Sequence, residues 1–227
     1  MTHTNRERPP TLPSQILAGI SEDAIAEILA AAHLRKVAAK RLIFSAGEKA
    51  THFFVLQRGH GRYFRLTRTG EEVLLQLLAP GDTFGIGALL ENPCLYIGSV
   101  EATSDVEMLV WEHASIRTLA TLHPKLADNG LRIALQYLKR YVDRHVGLVT
   151  KPAEQRLAET LLNLGHRTGQ TLPTGVQVDV TNGQLGALAD MSSFTTSRLL
   201  SGWERKGIVS KLRGKVLIRS PEALVVD

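Results

Sequence analysis

The residues of this chain best suited to chemistry lie near its carboxyl end, where hydroxyl side chains lead up to an arginine. Thr181 and Gln184 have the spacing of a capping box, which predicts the start of a helix. Ser192 or Ser193 can cap a second helix after a tight turn, and Arg198 lies within that helix. Two helices joined in this way are typical of a helix-turn-helix, whose second helix presents side chains to base edges.

Apolar and small residues of the same segment support two packed helices. Gly186 and Ala187 are small where the helices must approach each other, and Gly207 is expected to end the second helix. The predicted inward-facing residues are Leu185, Leu188, Ala189, Leu199, Leu200 and Trp203.

Positive charge is concentrated in this region. The chain has 27 Lys and Arg against 22 Asp and Glu, a formal net charge of +5. Between residues 190 and 220, seven basic side chains stand against two acidic ones, which equals the net charge of the whole chain. Ile208–Ser210 and Val216–Ile218 flank Arg213–Gly214 as a predicted hairpin, the wing. Because phosphate binding requires cations, this coincidence favours DNA binding over an ordinary solvated face.

Upstream, the pattern of residues 41–112 is that of a sheet. Short apolar runs at spacings of roughly ten residues, separated by turn residues, predict an antiparallel sandwich or barrel. Ser21 is expected to cap a helix that runs to about His33, and residues 1–14 are expected to be frayed. The predicted strands are Leu42–Phe44, Phe53–Leu56, Tyr63–Leu66, Val73–Leu78, Ser99–Val100 and Met108–Trp111.

After Pro124 the apolar pattern becomes helical. A narrow stripe repeats with the spacing 4-3-4-3-4, which favours a coiled-coil dimer; the alternative is a helix packed on the β-domain of its own chain. On this stripe, His145 either fixes the register of the helices or switches their interface near neutral pH. The stripe consists of Leu131, Leu135, Leu138, Val142, His145 and Val149, flanked by Ala134, Tyr141 and Leu148.

Lys151–Pro152 is expected to break the long helix and to act as a hinge. Beyond it, Arg156–Leu164 is predicted as a helix ended by Gly165, and Val176–Val180 as a strand. The predicted α+β architecture comprises a flexible amino terminus (1–20), a β-roll or jelly-roll domain (21–122), a dimerisation helix (123–150) and a winged helix-turn-helix domain (151–227).

Composition excludes several classes of protein. The 227 residues are 44% hydrophobic and 22% charged, as in an ordinary globular protein. The single cysteine, Cys94, excludes an internal disulfide, a four-cysteine zinc site and an all-cysteine iron–sulfur cluster within one chain. Since the sequence has neither a run of about 18 apolar residues nor an apolar leader, we expect a cytoplasmic protein without membrane contact.

The order of these parts resembles the Crp/Fnr family of bacterial transcription regulators, from about residue 20 to 220. Pro80–Gly85 (PGDTFG) is similar to the family's P/Q-G-D-x-φ-G turn, and Glu159–Leu164 (ETLLNL) to the start of its DNA-binding domain. Thr195–Leu200 (TTSRLL) matches the T-x-S-R-L-L of the Fnr-like recognition helix, and Val180–Leu188 fits the preceding helix. The resemblance implies a cyclic-nucleotide-binding-like β-roll, a homodimer, and double-stranded DNA and RNA polymerase as partners.

The sequence departs from the family at the positions that bind cyclic AMP. The Glu that holds the ribose is replaced by Ile86, and the Arg-Ser pair that binds the phosphate falls on Tyr96 and Ile97. The two hydroxyl residues that touch adenine fall on Tyr141 and Val142. Because burying a phosphate without donors costs several kcal/mol, we expect an effector other than cyclic AMP. An Fnr-type iron–sulfur cluster is also excluded, since it needs four cysteines.

An apolar and aromatic set replaces those residues. The candidate effector pocket comprises Ile86, Leu89, Leu90, Tyr96, Ile97, Tyr141, Val142 and His145. Some family members bind haem or aromatic acids in this region, and haem would need an axial ligand from His145, His52 or His60. Three alternatives remain: haem with a gas, another apolar or aromatic small molecule, and no effector, with these side chains filling the pocket.

The resemblance also assigns DNA contacts. Arg198 matches the family arginine, and an arginine can bind guanine O6 and N7 together. Ser197 matches the serine of the Fnr-like branch, while the Glu that pairs with cytosine is Phe194 here, which could pack only against a thymine methyl or its own domain. We expect a palindromic operator that keeps the guanine. The other candidate contacts are Ser192, Ser193, Thr195 and Thr196 to bases or phosphates, and Lys211, Arg213 and Lys215 on the wing to the backbone.

Two rival functions are less well supported. A cupin-like metalloenzyme needs a closely spaced His-x-His, whereas His52 and His60 are eight residues apart. A phosphate-binding loop needs Gly-Lys-Ser/Thr, which Gly81–Gly87 lacks. We therefore expect no enzyme. The other rival is a ligand-binding module that acts through protein contacts instead of DNA.

Overall fold

The computed structural model describes residues 14–224. The chain forms two compact units. The first contains the described residues up to Arg65 together with Leu77–Gln136, and the second contains Leu66–Gln76 together with the described residues from Tyr137 onward. The domain boundaries at residues 20, 122 and 150 stay predictions.

The amino-terminal part consists of one helix, eight strands and two further helices. Helix α1 spans Glu22–Ala30 and is followed by β1 (His33–Val37), β2 (Leu42–Phe44), β3 (His52–Arg58), β4 (Gly61–Leu66), β5 (Glu72–Leu78), β6 (Thr83–Phe84), β7 (Ser99–Ala102), β8 (Val106–Glu112), α2 (His113–Leu122) and α3 (Pro124–Thr150).

The eight strands form two four-stranded sheets, in the orders β1-β8-β3-β6 and β2-β7-β4-β5. Strands β3 and β8 pair antiparallel with Phe54 opposite Val110, and both side chains are buried. The Phe54 ring stacks on that of Phe84, with centroids 5.0 Å apart, within an apolar core that also contains Met108. The prediction of an amino-terminal β-domain is confirmed.

Three elements of this domain were not predicted. Strand β1 begins at His33, where we expected the first helix to end, and α1 ends at Ala30. Its sequence, HLRKV, is mostly polar because β1 is an edge strand that pairs with β8 alone. Strand β6 has only two residues, which is too short for an alternating apolar pattern. Helix α2 buries only Ile116, Leu119 and Ala120, which is too few for a clear helical pattern of apolar residues.

The amino-terminal segment differs from the flexible tail expected for residues 1–20. Ile16 is buried, and the Asn129 amide of α3 donates hydrogen bonds to the carbonyls of Ile16 and Ala18 at 2.9 Å each. The segment from Ser14 onward is therefore fixed on α3. The rest of the predicted tail, residues 1–13, lies outside the described residues.

Helix α3 confirms the long helix predicted after Pro124. Its stripe is exposed in the single chain: the apolar members range from 51% at Val142 to 74% at Val149. Within the described part of the chain, the stripe is therefore left exposed. The predicted break occurs at Lys151–Pro152, which separates α3 from the next helix; the role of this break as a hinge stays a prediction.

The carboxyl-terminal part contains one helix and four strands in addition to the two helices of a helix-turn-helix. Its elements are α4 (Ala153–Thr168), β9 (Gln170–Leu172), β10 (Gly175–Asp179), α5 (Asn182–Leu188), α6 (Ser193–Arg205), β11 (Val209–Leu212) and β12 (Lys215–Ile218). Strands β11, β12, β10 and β9 form one sheet in that order, and the predicted wing is the β11–β12 hairpin.

Gly165 does not end α4, contrary to our expectation, since the helix continues to Thr168. A Cβ at Gly165 would lie 3.1 Å from Ile218 Cδ1 and 3.7 Å from Val176 Cγ1. The glycine therefore serves the close packing of α4 on the sheet rather than chain termination.

Candidate nucleic-acid interface

The first helix of the candidate interface begins with the predicted capping box. The Thr181 hydroxyl accepts a hydrogen bond from the Gln184 backbone N–H at 3.2 Å, and the Thr181 N–H donates to Gln184 Oε1 at 3.0 Å. These two bonds fix where α5 starts. Helix α5 ends at Leu188, slightly before the predicted end near Asp190.

Two arginines hold the turn between α5 and α6. Arg144 donates from Nε to Asp190 Oδ2 at 2.7 Å and from Nη2 to the Ala187 carbonyl at 2.6 Å. Arg156 donates to the carbonyls of Ala189 and Asp190 at 3.1 and 3.2 Å. The carbonyls at the end of α5 are therefore paired with guanidinium groups from α3 and α4. No sequence pattern indicates this role for either arginine.

The close approach of α5 to α6 occurs at Gly186 but not at Ala187. A Cβ at Gly186 would lie 2.6 Å from the Thr196 hydroxyl and 2.9 Å from the Met191 carbonyl. Ala187 is exposed, and Ala189 is buried instead.

Thr196, which we predicted to contact DNA, is fully buried. Its hydroxyl donates to the Ser192 carbonyl at 3.0 Å, and its side chain faces Gly186. Thr196 therefore packs the two helices together, and the structure removes it from the candidate DNA contacts.

The second helix starts at a cap formed by Ser192, which is one of the two serines predicted for this role. Its hydroxyl accepts from the Thr195 N–H at 3.1 Å and lies 3.0 Å from Thr195 Oγ1. Thr196, Leu200 and Trp203 form the buried face of α6, so the opposite face of its first turns is open.

Phe194 and Arg198 lie on that open face, one helical turn apart. Both are exposed, and within residues 14–224 the Arg198 guanidinium has no hydrogen-bond or ion-pair partner. Ser193 is also exposed, whereas Ser197 and Thr195 are half-buried. The geometry thus presents one cation, one aromatic ring and several hydroxyls at the start of α6.

The three predicted cations of the wing have different surroundings. Lys211 donates from Nζ to Ser201 Oγ at 2.8 Å and pairs with Glu204 Oε2 at 3.2 Å. The backbone N–H of Lys211 also binds Glu204 and lowers the pKa of that carboxyl. Lys215 pairs with Asp179 at 3.3 Å. Arg213, at the exposed tip of the hairpin, makes no such pair within the described part of the chain.

Five candidate effector residues belong to the first unit. Tyr96 is a core residue: its ring stacks on Phe44 at 3.8 Å, and its hydroxyl donates to the His52 carbonyl at 3.1 Å. Burial raises the pKa of the Tyr96 hydroxyl, which keeps it neutral. Leu89 is buried and Ile86 half-buried, whereas Leu90 is 52% exposed and Ile97 is 68% exposed. These side chains therefore range from core residues to exposed ones, and their role as an effector pocket stays a prediction.

Three candidate effector residues, Tyr141, Val142 and His145, belong to the second unit and are exposed on α3. This unit also holds Gln76 of β5, which the sequence pattern placed in an apolar strand. Gln76 is buried, and its Oε1 accepts from Arg140 at 3.2 Å. Its Nε2 has no hydrogen-bond partner among residues 14–224. The only sequence sign of this buried amide is that Gln76 is a polar residue within the apolar run Leu74–Leu78.

The candidate haem ligands are spread over both units. His52 is half-buried with its Nδ1 2.9 Å from Thr51 Oγ1, and burial lowers its pKa, which favours the neutral imidazole. His60 and His145 are exposed. Among the described residues, no group of three or more His, Cys, Asp and Glu is placed to hold a metal ion. No helix in that part of the chain is long and apolar enough to cross a membrane.

Comparisons with known proteins match both halves of the chain. Residues 34–123 match the cyclic nucleotide-binding domain, and residues 155–225 match the Crp-like helix-turn-helix domain. The chain belongs to the Crp/Fnr family of transcription regulators. Members of this family are DNA-binding regulators and not enzymes, as the sequence predicted.

Relatives of this Crp/Fnr regulator cover most of its length. It is 28% identical over 190 residues to the cAMP-activated global transcriptional regulator CRP of Pasteurella multocida, covering 82% of this chain and 89% of the relative. It is 24% identical over 212 residues to the CRP-like cAMP-activated regulator of Mycobacterium tuberculosis, covering 92% and 94% of the two chains. FixK2 from Bradyrhizobium japonicum shares the fold, with a TM-score of 0.75 at 21% identity over 85% of this chain and 95% of that one.

Proposed function

We propose that this Crp/Fnr regulator acts as a homodimer that binds a palindromic operator through α6, under an effector other than cyclic AMP. The observation that carries the DNA part is the open face of α6, where Arg198 has no partner in the described chain. A recognition helix reads bases with residues of its first turns, and an arginine fork matches guanine.

The proposed DNA contacts are those that the structure leaves accessible. Ser193, Phe194 and Arg198 would face base edges, while Ser192, Thr195 and Ser197 would reach bases or phosphates. The wing adds phosphate contacts from Lys211, Arg213 and Lys215, of which Arg213 is available without breaking an ion pair of the protein. Two recognition helices that enter successive major grooves must lie about 34 Å apart, which requires a dimer.

The exposed stripe of α3 supports the dimer. Five apolar side chains spaced as a heptad seam are more than half exposed in the single chain. Packing the stripe against a second copy would remove them from water, which favours association by roughly 25 cal/mol per Å² of apolar surface. RNA polymerase is proposed as a further partner through the family resemblance alone.

The effector proposal rests on the residues that replace the family's phosphate ligands. Tyr96 is held in the core by its stacking on Phe44, and Ile97 offers no donor beyond its backbone. A cyclic phosphate would therefore lack the cation that its burial requires. The proposed alternatives are haem with a gas, with His145, His52 or His60 as ligand, an apolar or aromatic small molecule, or no effector.

The test of DNA binding uses matched arginine variants of α6. Operators would be selected from random duplexes with the full-length protein, and the affinity of each single-base variant measured for the wild type, Arg198→Ala and Arg205→Ala. Arg205 is exposed at the far end of the same helix. We expect Arg198→Ala to lose about 1–3 kcal/mol at one base pair of each half-site, and Arg205→Ala to lose no base preference. An equal loss across all sequences in both variants would contradict the assignment.

The effector test is a pair of direct measurements. Calorimetry with cyclic AMP is expected to show no heat of binding, and operator affinity is expected to be the same with and without it. An absorption spectrum of the protein reconstituted with haem then separates the haem alternative from the other two, because a stoichiometric Soret band requires an axial ligand. Saturable cyclic AMP binding that tightens operator binding would overturn this part of the proposal.

A further inference from the structure

Phe194 is the most exposed large apolar side chain among residues 14–224, at 78%. It is the second residue of α6, and its neighbours Ser193 and Thr195 are polar. No residue of its own domain up to Leu224 covers the ring. Of the two roles that the sequence left open for Phe194, packing within the domain is therefore removed by the structure.

The protein fixes the helix start that carries Phe194. Ser192 caps α6 through the Thr195 N–H, and Thr196, Leu200 and Trp203 anchor the opposite face in the core. The direction in which Phe194 projects is thus set before any ligand binds. An exposed ring carried by a well-anchored helix start is suited to an apolar contact that forms on binding.

Phe194 and Arg198 share one face of α6 at positions i and i+4, a rise of about 6 Å along the helix axis. Base pairs stack at about 3.4 Å, so side chains with this spacing reach base pairs about two steps apart or closer. A phenylalanine ring offers neither a hydrogen-bond donor nor an acceptor to a base edge. In the major groove, the C5-methyl of thymine is the apolar group that a base pair presents.

We propose that Phe194 is a specificity-determining residue that packs its ring on a thymine methyl, within two base pairs of the guanine bound by Arg198. This inference rests on the proposed function, since it requires α6 to enter the major groove. It predicts a half-site that contains both a thymine and a guanine at this close spacing.

The test removes only the methyl group. In the operator selected by the wild-type protein, each thymine within two base pairs of the guanine is replaced by deoxyuridine, symmetrically in both half-sites. Burying one methyl corresponds to about a fourfold change in affinity, so a dimer is expected to lose about 15-fold at one symmetric pair of positions. With Phe194→Ala the same replacement is expected to cost less than about twofold, since no ring remains to contact the methyl.

A second variant tests whether residue 194 determines which base is selected at this position. Phe194→Glu supplies an acceptor for the cytosine amine, so operators selected with it are expected to carry cytosine where the wild type selects thymine. Because Phe194 is exposed, both variants are expected to keep the circular dichroism spectrum and melting temperature of the wild type.

The outcomes distinguish a failure of the thymine-methyl contact from a failure of the proposed DNA binding. A selected motif that tolerates deoxyuridine at every thymine, or that shows the same deoxyuridine penalty in Phe194→Ala, would overturn this inference and leave the proposed DNA binding intact. A selection without any motif would overturn both.

Discussion

Arg144 of α3 binds both carboxylate oxygens of Asp190 in the turn of the helix-turn-helix, with Nε 2.7 Å from Oδ2. The same guanidinium donates to the carbonyls of Ala187 and of Leu74 in β5. Asp190 has a φ of +53°, a left-handed conformation that is rare outside glycine, asparagine and aspartate. One arginine thus joins α3, β5 and the turn after α5 at a residue with left-handed backbone.

Removing this arginine is expected to destabilise the second unit. Arg144→Met leaves the Asp190 carboxylate without its partner in a partly buried site, for a predicted loss of roughly 1–3 kcal/mol in the free energy of unfolding. The control is Lys139→Met, which removes an exposed pair with Asp143 on the same helix and should cost less than about 0.5 kcal/mol. Urea unfolding followed by circular dichroism gives the free energy of unfolding of both variants. Equal losses would show that the Arg144–Asp190 contact stabilises the protein no more than an exposed ion pair does.

Two glycines in the helix-turn-helix are expected to respond oppositely to the same substitution. Gly186→Ala would force a Cβ to 2.6 Å from the Thr196 hydroxyl and to 2.9 Å from a backbone carbonyl, with a predicted loss of about 1–3 kcal/mol. Gly202→Ala in α6 meets nothing within 4 Å and should gain up to about 1 kcal/mol, because alanine favours the helix. Thermal unfolding measures both changes. A stable Gly186→Ala variant would mean that α5 and α6 can separate at little cost.

The wing cations are expected to contribute unequally to DNA affinity. Arg213 is exposed and unpaired within the described residues, so Arg213→Gln should reduce the slope of log affinity against log salt by about 0.9 per half-site. Lys215→Gln should reduce it less, since Asp179 at 3.3 Å already offsets the Lys215 charge. Operator affinity measured between low and moderate salt gives both slopes. Identical slopes for the two variants would contradict this difference.

The α3 stripe is expected to determine the oligomeric state. Leu138→Lys places a charge at the centre of the seam and should convert a dimer to a monomer, because burying an unpaired ammonium is costly. Leu34→Lys, at a similarly exposed apolar residue on the edge strand β1, is the control and should remain dimeric. Sedimentation equilibrium distinguishes the two. A dimeric Leu138→Lys variant would place the interface elsewhere.

The features that the sequence predicted well are those carried by local signals. The capping box at Thr181 and Gln184, the serine cap of α6 and the break at Pro152 each depend on residues within a few positions. Thr196 was misplaced because a threonine next to other hydroxyls gives no sign of which face it occupies. Its burial follows from Gly186, ten residues earlier in the chain, which brings α5 against it.

Features that depend on distant residues could not be predicted. Arg144 and Arg156 bind backbone carbonyls more than 30 residues away. Because every residue has a backbone carbonyl, the residue type at the partner position does not indicate the bond. The orphan amide of Gln76 and the stacking of Tyr96 on Phe44 likewise depend on which strands become neighbours. Gly165 suggested a helix end locally, whereas the sheet that packs against it is formed by later strands.

The exposed stripe of α3 also has a consequence for protein abundance. In a homodimer held by this helix, folding and association are linked by mass action, so the melting temperature rises with the number of copies present. A tenfold dilution weakens the assembled state by about 1.4 kcal/mol per dimer. The cell that makes more of this regulator would therefore also make each copy harder to unfold and to degrade.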